Sequence, residues 1–172
     1  MNSGRAAIFL DRDGVLNVDR GYVYRPQDFE WISGAIAAVR RINEEGYLAI
    51  VVTNQSGIAR QYYSEADFLA LTHWMNDTLA SHGAHIDAVY HCPHHPEGTD
   101  AKFAVDCDCR KPKPGLLHRA IRDLNVAPER SFLIGNEARD LEAAKAAGLR
   151  SYLFEGGNLD DFLTAVLRRE AG

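Results

Sequence analysis

Two aspartates one residue apart follow a short apolar run near the start of the chain. Residues 8–10 are apolar, and Asp11, Arg12, Asp13 and Gly14 come directly after them. Ligands of an open parallel sheet bind at the carboxyl ends of its strands, and side chains two apart on an extended chain point the same way. One carboxylate can therefore attack an electrophile while the other moves protons. Because an ordinary strand followed by an Asp-Gly turn has the same pattern, other segments must decide.

Two further apolar runs also end in polar side chains. Residues 53–57 read Thr-Asn-Gln-Ser-Gly, and residues 135–140 read Gly-Asn-Glu-Ala-Arg-Asp. Neutral donors at a strand end suit phosphate oxygens, although Thr53-Asn54 alone is equally typical of a helix cap. Since parallel strands end at one edge of a sheet, we expect these groups to meet the two aspartates in one pocket.

Residues 92–113 are rich in His, Pro, Cys and Asp, lack periodicity and form an unusually long loop for a compact domain. Four residues in this loop form a complete Cys₃His zinc set: Cys92, His94, Cys107 and Cys109. Four protein ligands leave no open position, so the predicted zinc is structural and orders the loop. Either neighbouring histidine, His91 or His95, could replace His94. The cationic segment 110–113 follows the last thiolate, which links the zinc to anion binding.

Composition limits the partners of the chain. It has 172 residues and a net charge of -5, without a long block of like charge. This favours a small partner over nucleic acid or a membrane surface. No segment approaches the ~20 apolar residues of a membrane span and no signal core is evident, so we expect a cytoplasmic protein. In that reducing compartment, three cysteines indicate metal binding or free thiols.

The order of apolar patterns predicts an α/β fold. Short β-branched runs at 6–10, 48–52, 86–90, 132–134 and 151–154 alternate with helical patterns at 36–42, 64–79, 116–124 and 140–147, and a closing helix includes 166–169. This alternation predicts a doubly wound, Rossmann-like parallel sheet with helices on both faces. No linker divides the chain, so we expect one domain over 1–172 with a zinc-binding loop at 92–109. About forty residues separate Asp13 from Thr53, too few for a large cap domain.

In their order, four segments resemble the haloacid dehalogenase (HAD) superfamily of phosphotransferases. They are Asp-x-Asp-Gly at 11–14, Thr-Asn at 53–54, Lys111, and Gly-Asn-x-x-x-Asp at 135–140. Segments 17–22, 53–60, 92–96 and 109–112 resemble the branch of that superfamily that removes the 7-phosphate from heptose 1,7-bisphosphate, in making surface sugars such as the lipopolysaccharide core. The resemblance implies a phosphoric monoester hydrolase acting on a small phosphorylated sugar.

The resemblance also implies roles for individual residues. Asp11 would attack phosphorus to form an aspartyl-phosphate, Asp13 would protonate the leaving oxygen and then activate water, and Thr53 and Lys111 would stabilise the phosphoryl group. Mg²⁺ would be held by Asp11, the Asp13 carbonyl and residue 136. Substrate contacts are expected from nine residues: Asp19, Arg20, Gly21, Tyr22, Asn54, Gln55, Ser56, Arg110 and Glu137.

Position 136 departs from the family pattern, which has aspartate where this chain has Asn136. An amide oxygen can ligate Mg²⁺, but the site loses one negative charge toward a hard cation. The change has three interpretations: weaker Mg²⁺ binding, replacement of the ligand by Glu137 or Asp140, or a weakened active site.

Two alternative functions remain open. Histidinol-phosphate phosphatases share the zinc loop and the Arg-Lys-Pro segment, but they usually have a shorter span between the ligand pairs. A non-catalytic phosphosugar-binding domain is the other alternative, suggested by Asn136. We take a monomer as the expected oligomeric state.

Overall fold

A computed structural model describes residues 4–172, which form a five-stranded parallel sheet in the order β3-β2-β1-β4-β5. The strands are β1 (Ala7–Leu10), β2 (Leu48–Asn54), β3 (Ala88–Cys92), β4 (Phe132–Gly135) and β5 (Arg150–Leu153). The parallel α/β prediction is confirmed. The third strand was predicted at 86–90 but lies two residues later, because β2 extends to Asn54 and pairs with β3 as far as Cys92. This shift places the first zinc-type ligand inside the sheet.

Five helices connect the strands: α1 (Ala35–Glu44), α2 (Glu65–Ser81), α3 (Gly115–Asp123), α4 (Ala138–Ala146) and α5 (Leu159–Glu170). The hydrophobic periodicity places the first four correctly to within one or two residues. The closing helix begins at Leu159 and is capped by the Asn158 side chain. It therefore starts well before residues 166–169, the part that the sequence pattern predicted. Pro114 is the N-cap residue directly before α3.

The sheet is covered on both faces, and β1 shows how this is encoded. Ile8 and Leu10 pack with the apolar sides of α1, α2 and α5, whereas Ala7 and Phe9 pack with α3 and α4. Successive side chains of a strand point to opposite faces, so a continuous apolar strand fills both layers. β1 is therefore completely buried at the centre of the sheet, and the residues after it have a rigid support.

Loops after the strands form the edge where the predicted pocket should lie. Residues 11–34 contain only one short 3₁₀ turn (Pro26–Asp28), and residues 93–114 contain no helix or strand. Within the described residues, neither segment forms a separate cap domain. No helix in residues 4–172 combines the length and apolar character needed to cross a bilayer.

Candidate active site

A cavity of about 330 Å³ opens at the carboxyl edge of the sheet. Its walls come from the loops after β1, β2 and β4 and from the Arg110-Lys111 segment. This volume lies at the lower end of the range for small-molecule sites, which is roughly 300–1,000 Å³. The predicted convergence of strand ends is therefore present in the structure.

Lys111 is buried between two carboxylates at the base of this cavity. Its ammonium nitrogen lies 3.1 Å from Asp11 Oδ1 and 2.7 Å from Asp140 Oδ1, and it donates to the Val52 carbonyl at 2.8 Å. Burial acts to lower the pKa of Lys111, but the two carboxylates outweigh burial and raise it. Lys111 is therefore held as a cation directly behind Asp11.

Asp11 is a buried carboxylate with a raised pKa. Burial raises its pKa to about 6, Lys111 opposes this effect, and the negative charges of Asp140 and Asp13 add to it. One of its oxygens also accepts a hydrogen bond from the Arg12 amide at 2.8 Å. Asp11 can thus lose its proton near neutral pH, as a nucleophile or metal ligand must.

Asp13 lines the same cavity as Asp11, while Arg12 between them points into the protein. The Arg12 guanidinium donates to both Asp13 oxygens, at 2.9 and 3.0 Å, and to the Val23 carbonyl at 2.7 Å. Asn17 and Gln55 donate to Asp13 at 3.0 and 3.1 Å. Arg12 therefore acts as a positioning residue that holds the second aspartate in place.

Asn136 lies directly against the first aspartate loop. A Cβ on Gly14, which has a φ of +88°, would stand 2.1 Å from Asn136 Nδ2, so only glycine allows this approach. Asn136 Oδ1 is buried and has no hydrogen-bond partner among residues 4–172. An unpaired buried oxygen costs about 1–3 kcal/mol, and a bound cation would remove that cost. A carboxylate, a main-chain carbonyl and an amide oxygen are donor types that Mg²⁺ accepts, so Asp11, the Asp13 carbonyl and Asn136 fit the ion by their chemistry.

Asp140, the alternative Mg²⁺ ligand, is occupied within the protein. One oxygen accepts from the Asn136 and Glu137 amides, both at 3.1 Å, and the other faces Lys111. A Cβ on Gly135 would lie 2.3 Å from the Asp140 Cβ, so glycine at 135 allows Asp140 to reach this position. The structure thus places Asp140 as the support of Lys111.

The predicted substrate-binding residues do not all reach the cavity. Eight of the nine line it: Asp19, Gly21, Tyr22, Asn54, Gln55, Ser56, Arg110 and Glu137. Arg20 instead pairs with Glu30 on the exposed surface outside the cavity. Thr53, predicted as catalytic, is buried and does not line the cavity, and its hydroxyl accepts a hydrogen bond from Gln55 at 2.8 Å.

Three residues that the sequence analysis did not assign also line the cavity, namely Arg60, Tyr63 and Arg139. Tyr63 donates to the Gln55 side chain, which in turn contacts Asp13. The sequence contained a sign that Arg139 is unusual, because a cation in the first turn of a helix is placed unfavourably with respect to the helix dipole. Arg60 also carried a signal, since it ends segment 53–60, which resembles the family, but that resemblance gave it no role.

The four predicted zinc ligands form one cluster. The ligand atoms of Cys92, His94, Cys107 and Cys109 all lie within 4.8 Å of one another. The Sγ atoms of Cys92 and Cys109 lie 3.0 Å apart, and this contact is the main cause that lowers the pKa of Cys109 to about 5 and raises that of Cys92. Cys₃His is a common set for tetrahedral structural zinc, so these residues fit the ion.

The two alternative zinc histidines have other partners. His91 lies 2.8 Å from Glu65, and His95 lies 3.3 Å from the Arg60 guanidinium. Neither belongs to the cysteine cluster. The structure thus favours His94 as the imidazole ligand.

The zinc loop is attached to the end of β2. Asn54 donates to the Lys111 carbonyl at 3.1 Å and accepts from the Lys111 amide at 3.0 Å. The amides of Thr99 and Asp100 donate to the Ala59 carbonyl at 2.8 and 3.0 Å. Order in this loop therefore decides where the basic residues of the cavity stand.

Comparisons with known proteins agree with this geometry. Residues 108–166 match the HAD-hydrolase-like family model. The chain is 50% identical over 147 residues to a D-glycero-beta-D-manno-heptose-1,7-bisphosphate 7-phosphatase from Pasteurella multocida, covering 86% of this chain and 79% of the relative. A relative of the same name from Rhodopseudomonas palustris is 47% identical, with 95% and 91% covered.

A solved structure extends the comparison. The D,D-heptose 1,7-bisphosphate phosphatase from B. bronchiseptica, complexed with magnesium and phosphate, superposes with a TM-score of 0.82 at 30% identity. The match covers 95% of this chain and 99% of that chain.

The raised pKa of Asp11 predicts that Mg²⁺ and a proton compete for its carboxylate. With a pKa of about 6, Asp11 is mostly ionised at neutral pH and mostly protonated one unit below its pKa. Because the metal needs the carboxylate, lowering the pH from about 7 to about 5 should weaken Mg²⁺ binding by about tenfold. Isothermal titration of the metal-free protein measures this shift. Equal affinity at both pH values would show that Asp11 does not carry the competing proton.

Asn136→Asp should strengthen Mg²⁺ binding, because it adds a negative charge against the loop that carries Asp11, Asp13 and Gly14. We expect the Mg²⁺ concentration for half-maximal phosphatase rate to fall about tenfold, or ~1.4 kcal/mol of binding free energy. Asn125→Asp is the matched control, because Asn125 is exposed and its carbonyl contacts Arg5, away from the cavity. An unchanged metal titration in Asn136→Asp would contradict the prediction.

Loss of zinc should loosen residues 93–110 and reduce activity. His94→Ala should lose the ion, and hydrogen exchange of this loop should accelerate while β1 and β4 stay protected. We expect kcat/KM to fall at least about tenfold, since Arg110 and Lys111 lose their support. His118→Ala, an exposed histidine of α3, should keep both zinc and activity. A zinc-free His94→Ala protein with normal kcat/KM would refute this role.

Proposed function

The chain belongs to the D-glycero-beta-D-manno-heptose-1,7-bisphosphate 7-phosphatases of the HAD-like hydrolases, and we propose that it removes the 7-phosphate of that sugar through an aspartyl-phosphate. The proposed mechanism rests on one observation. The buried Lys111 ammonium holds Asp11 at the carboxyl edge of the sheet, beside Asp13 and the unpaired oxygen of Asn136. This is a set of groups suited to phosphoryl transfer.

In the first step, an Asp11 oxygen forms a bond to phosphorus, and the bond between phosphorus and the C7 oxygen breaks. Asp13 gives its proton to that leaving oxygen, so the sugar departs as an alcohol. In the second step, Asp13 takes a proton from water, and the water oxygen attacks the same phosphorus. Inorganic phosphate leaves, and the Asp11 carboxylate is restored.

Charge stabilisation comes from groups that are already in place. Lys111 is held as a cation between Asp11 and Asp140 at the base of the cavity, so its positive charge is in place before the substrate binds. Mg²⁺ bound by the Asp11 carboxylate, the Asp13 carbonyl and the Asn136 amide oxygen would offset the negative charge of the reacting group. We propose that Thr53 acts through Gln55, since its hydroxyl contacts that side chain and lies behind the cavity surface.

The outer part of the cavity is suited to a polar sugar. Asp19, Ser56 and Glu137 offer hydrogen-bonding groups, while Tyr22 offers an aromatic face. The cavity wall also carries the guanidinium groups of Arg60, Arg110 and Arg139, and Arg139 is paired with Glu137. Histidinol phosphate has an ammonium group, which such a wall repels, so this wall favours the sugar bisphosphate over that alternative.

Three broader properties are part of the proposal. We propose that residues 1–172 work as one catalytic domain, because the cavity uses loops from β1, β2 and β4 together. A cluster of reduced thiols supports a cytoplasmic location, where thiols stay reduced. The monomer remains our expectation for the oligomeric state.

Phosphate release from the pure protein tests this function. With Mg²⁺ present, we expect release from heptose 1,7-bisphosphate, with the 7-phosphate resonance disappearing from the ³¹P spectrum and the anomeric one remaining. Asp11→Asn should lower kcat by ~10³-fold or more, because an amide is a poor nucleophile. Asp28→Asn, at an exposed aspartate paired with Arg25, is the matched control.

The second substrate in the same assay is histidinol phosphate. Faster release from histidinol phosphate would assign the chain to that activity instead. If neither compound releases phosphate at any Mg²⁺ concentration, the site is a phosphosugar-binding module.

A further inference from the structure

The Gln55 side chain connects Asp13 to a part of the chain outside the first aspartate loop. Asp13 accepts hydrogen bonds from Arg12 and Asn17, which belong to its own loop, and from Gln55, which follows β2. Among residues 4–172, Gln55 is the sole donor to the Asp13 side chain from another segment. Its backbone is fixed as well, because its amide donates to the Cys92 carbonyl at 2.8 Å. The Gln55 side chain therefore helps to decide how Asp13 is held.

The side-chain amide of Gln55 has one orientation that suits an ionised Asp13. Its nitrogen donates to Asp13 Oδ2 at 3.1 Å and to the Thr53 hydroxyl at 2.8 Å, so both of its N–H groups are taken. The reverse orientation would place the amide oxygen against the carboxylate, and two acceptors would then face each other without a proton. Only 2% of Gln55 is exposed, so these contacts meet little competition from water.

Tyr63 holds the other end of this amide. Its hydroxyl donates to Gln55 Oε1, and burial raises the pKa of Tyr63, so the phenol keeps its proton near neutral pH. The ring is fixed by packing, because it stacks on Tyr24 with the ring centroids 5.2 Å apart. It also lies so close to Gly57 that a Cβ there would stand 2.1 Å from Tyr63 Cε1. Turning the Gln55 amide over would deprive this buried hydroxyl of its acceptor.

The direction of the Gln55 amide matters when Asp13 carries a proton. Every side chain that contacts the Asp13 carboxyl within residues 4–172 presents an N–H group, so none of them accepts that proton. A turned Gln55 amide would present an oxygen instead, and the Asp13 proton would be shared with the protein and not given to the leaving oxygen. Asn17 is held against the same turn, because its nitrogen also donates to the Val18 carbonyl at 3.1 Å.

We propose that Tyr63 is a positioning residue for proton transfer by Asp13, because through Gln55 it keeps an N–H donor against the Asp13 carboxyl. The inference rests on the proposed function, since it concerns the step in which Asp13 acts there. In that step the proton leaves an Asp13 oxygen while the C7 oxygen of the sugar separates from phosphorus. The Tyr63 hydroxyl is used within the protein, so its effect reaches the reaction only through the Gln55 amide.

The first experiment removes the Tyr63 hydroxyl and keeps its ring. Single-turnover rates with heptose 1,7-bisphosphate, measured with the holoenzyme in excess, exclude product release. Tyr63→Phe should lower this rate about tenfold and change KM less than about twofold, because the amide direction matters only during proton transfer. Tyr24→Phe is the matched control, since it removes a hydroxyl from the ring stacked on Tyr63, and it should leave the rate unchanged. An equal loss in both variants, or a change in KM alone, would overturn the proposal.

A double-mutant cycle tests whether Tyr63 acts through Gln55. Gln55→Met has a side chain of similar length but lacks the amide, so it should lower the single-turnover rate at least as much as Tyr63→Phe. Adding Tyr63→Phe to Gln55→Met should then change the rate by less than about twofold. A further tenfold loss in the double variant would show that Tyr63 acts independently of Gln55 and would refute the proposal, while the phosphatase function stands. Unfolding midpoints of all variants establish that they are folded.

A spectroscopic experiment separates this inference from the proposed function. In the ¹⁵N-labelled holoenzyme, the side-chain amide signal of Gln55 is the one that disappears in Gln55→Met. In Tyr63→Phe, the protons of this amide should exchange with water at least about tenfold faster, whereas Tyr24→Phe should leave their exchange unchanged. This result in a protein that releases no phosphate from the bisphosphate would refute the phosphatase but support the hold of Tyr63 on Gln55. Unchanged exchange in Tyr63→Phe would refute that hold, whatever the activity.

Discussion

The ion pairs of Lys111 with Asp11 and Asp140 support the rest of the site. A buried ammonium between two carboxylates is stable only as a complete set, because removing one partner of such a pair typically costs about 3–5 kcal/mol. The set joins three distant parts of the sequence: the residue after β1, the segment directly after the zinc loop and the first turn of α4. It also favours the charged form of Asp11, the proposed nucleophile, because Lys111 opposes the rise in its pKa. Structure and chemistry therefore depend on the same contacts.

The zinc loop explains how a chain without a cap domain can still form a pocket. Residues 93–114 contain no regular structure, and a free loop of this length would lose considerable entropy on ordering. The Cys₃His cluster and the mutual hydrogen bonds between Asn54 and Lys111 reduce that freedom. As a result, Arg110 and Lys111 stand on a rigid base, and Arg60 is held from the side. A metal far from the reacting atoms can therefore influence substrate selection.

Asn136 shows how one change of charge can leave geometry intact. Its side chain still fits against Gly14, and its oxygen remains free for a cation. The neighbouring Asp140 does not supply the missing charge, because the Lys111 ammonium and two backbone amides already occupy its oxygens. The site thus keeps the shape of its family with a lower negative charge.

The sequence by itself determined the parallel sheet, the edge that carries Asp11 and Asp13, and the three cysteines of the Cys₃His cluster, because periodicity and local spacing encode these features. Only the tertiary structure decided which polar residues share the cavity. Arg20 turns away to Glu30, Thr53 lies behind Gln55, and Arg60 and Arg139 join the wall. These outcomes depend on contacts between segments far apart in the chain, such as Ala59 with Thr99 and Lys111 with Asp140. Local pattern identifies a strand end, but the direction of each side chain is set by the partner that folding brings to it.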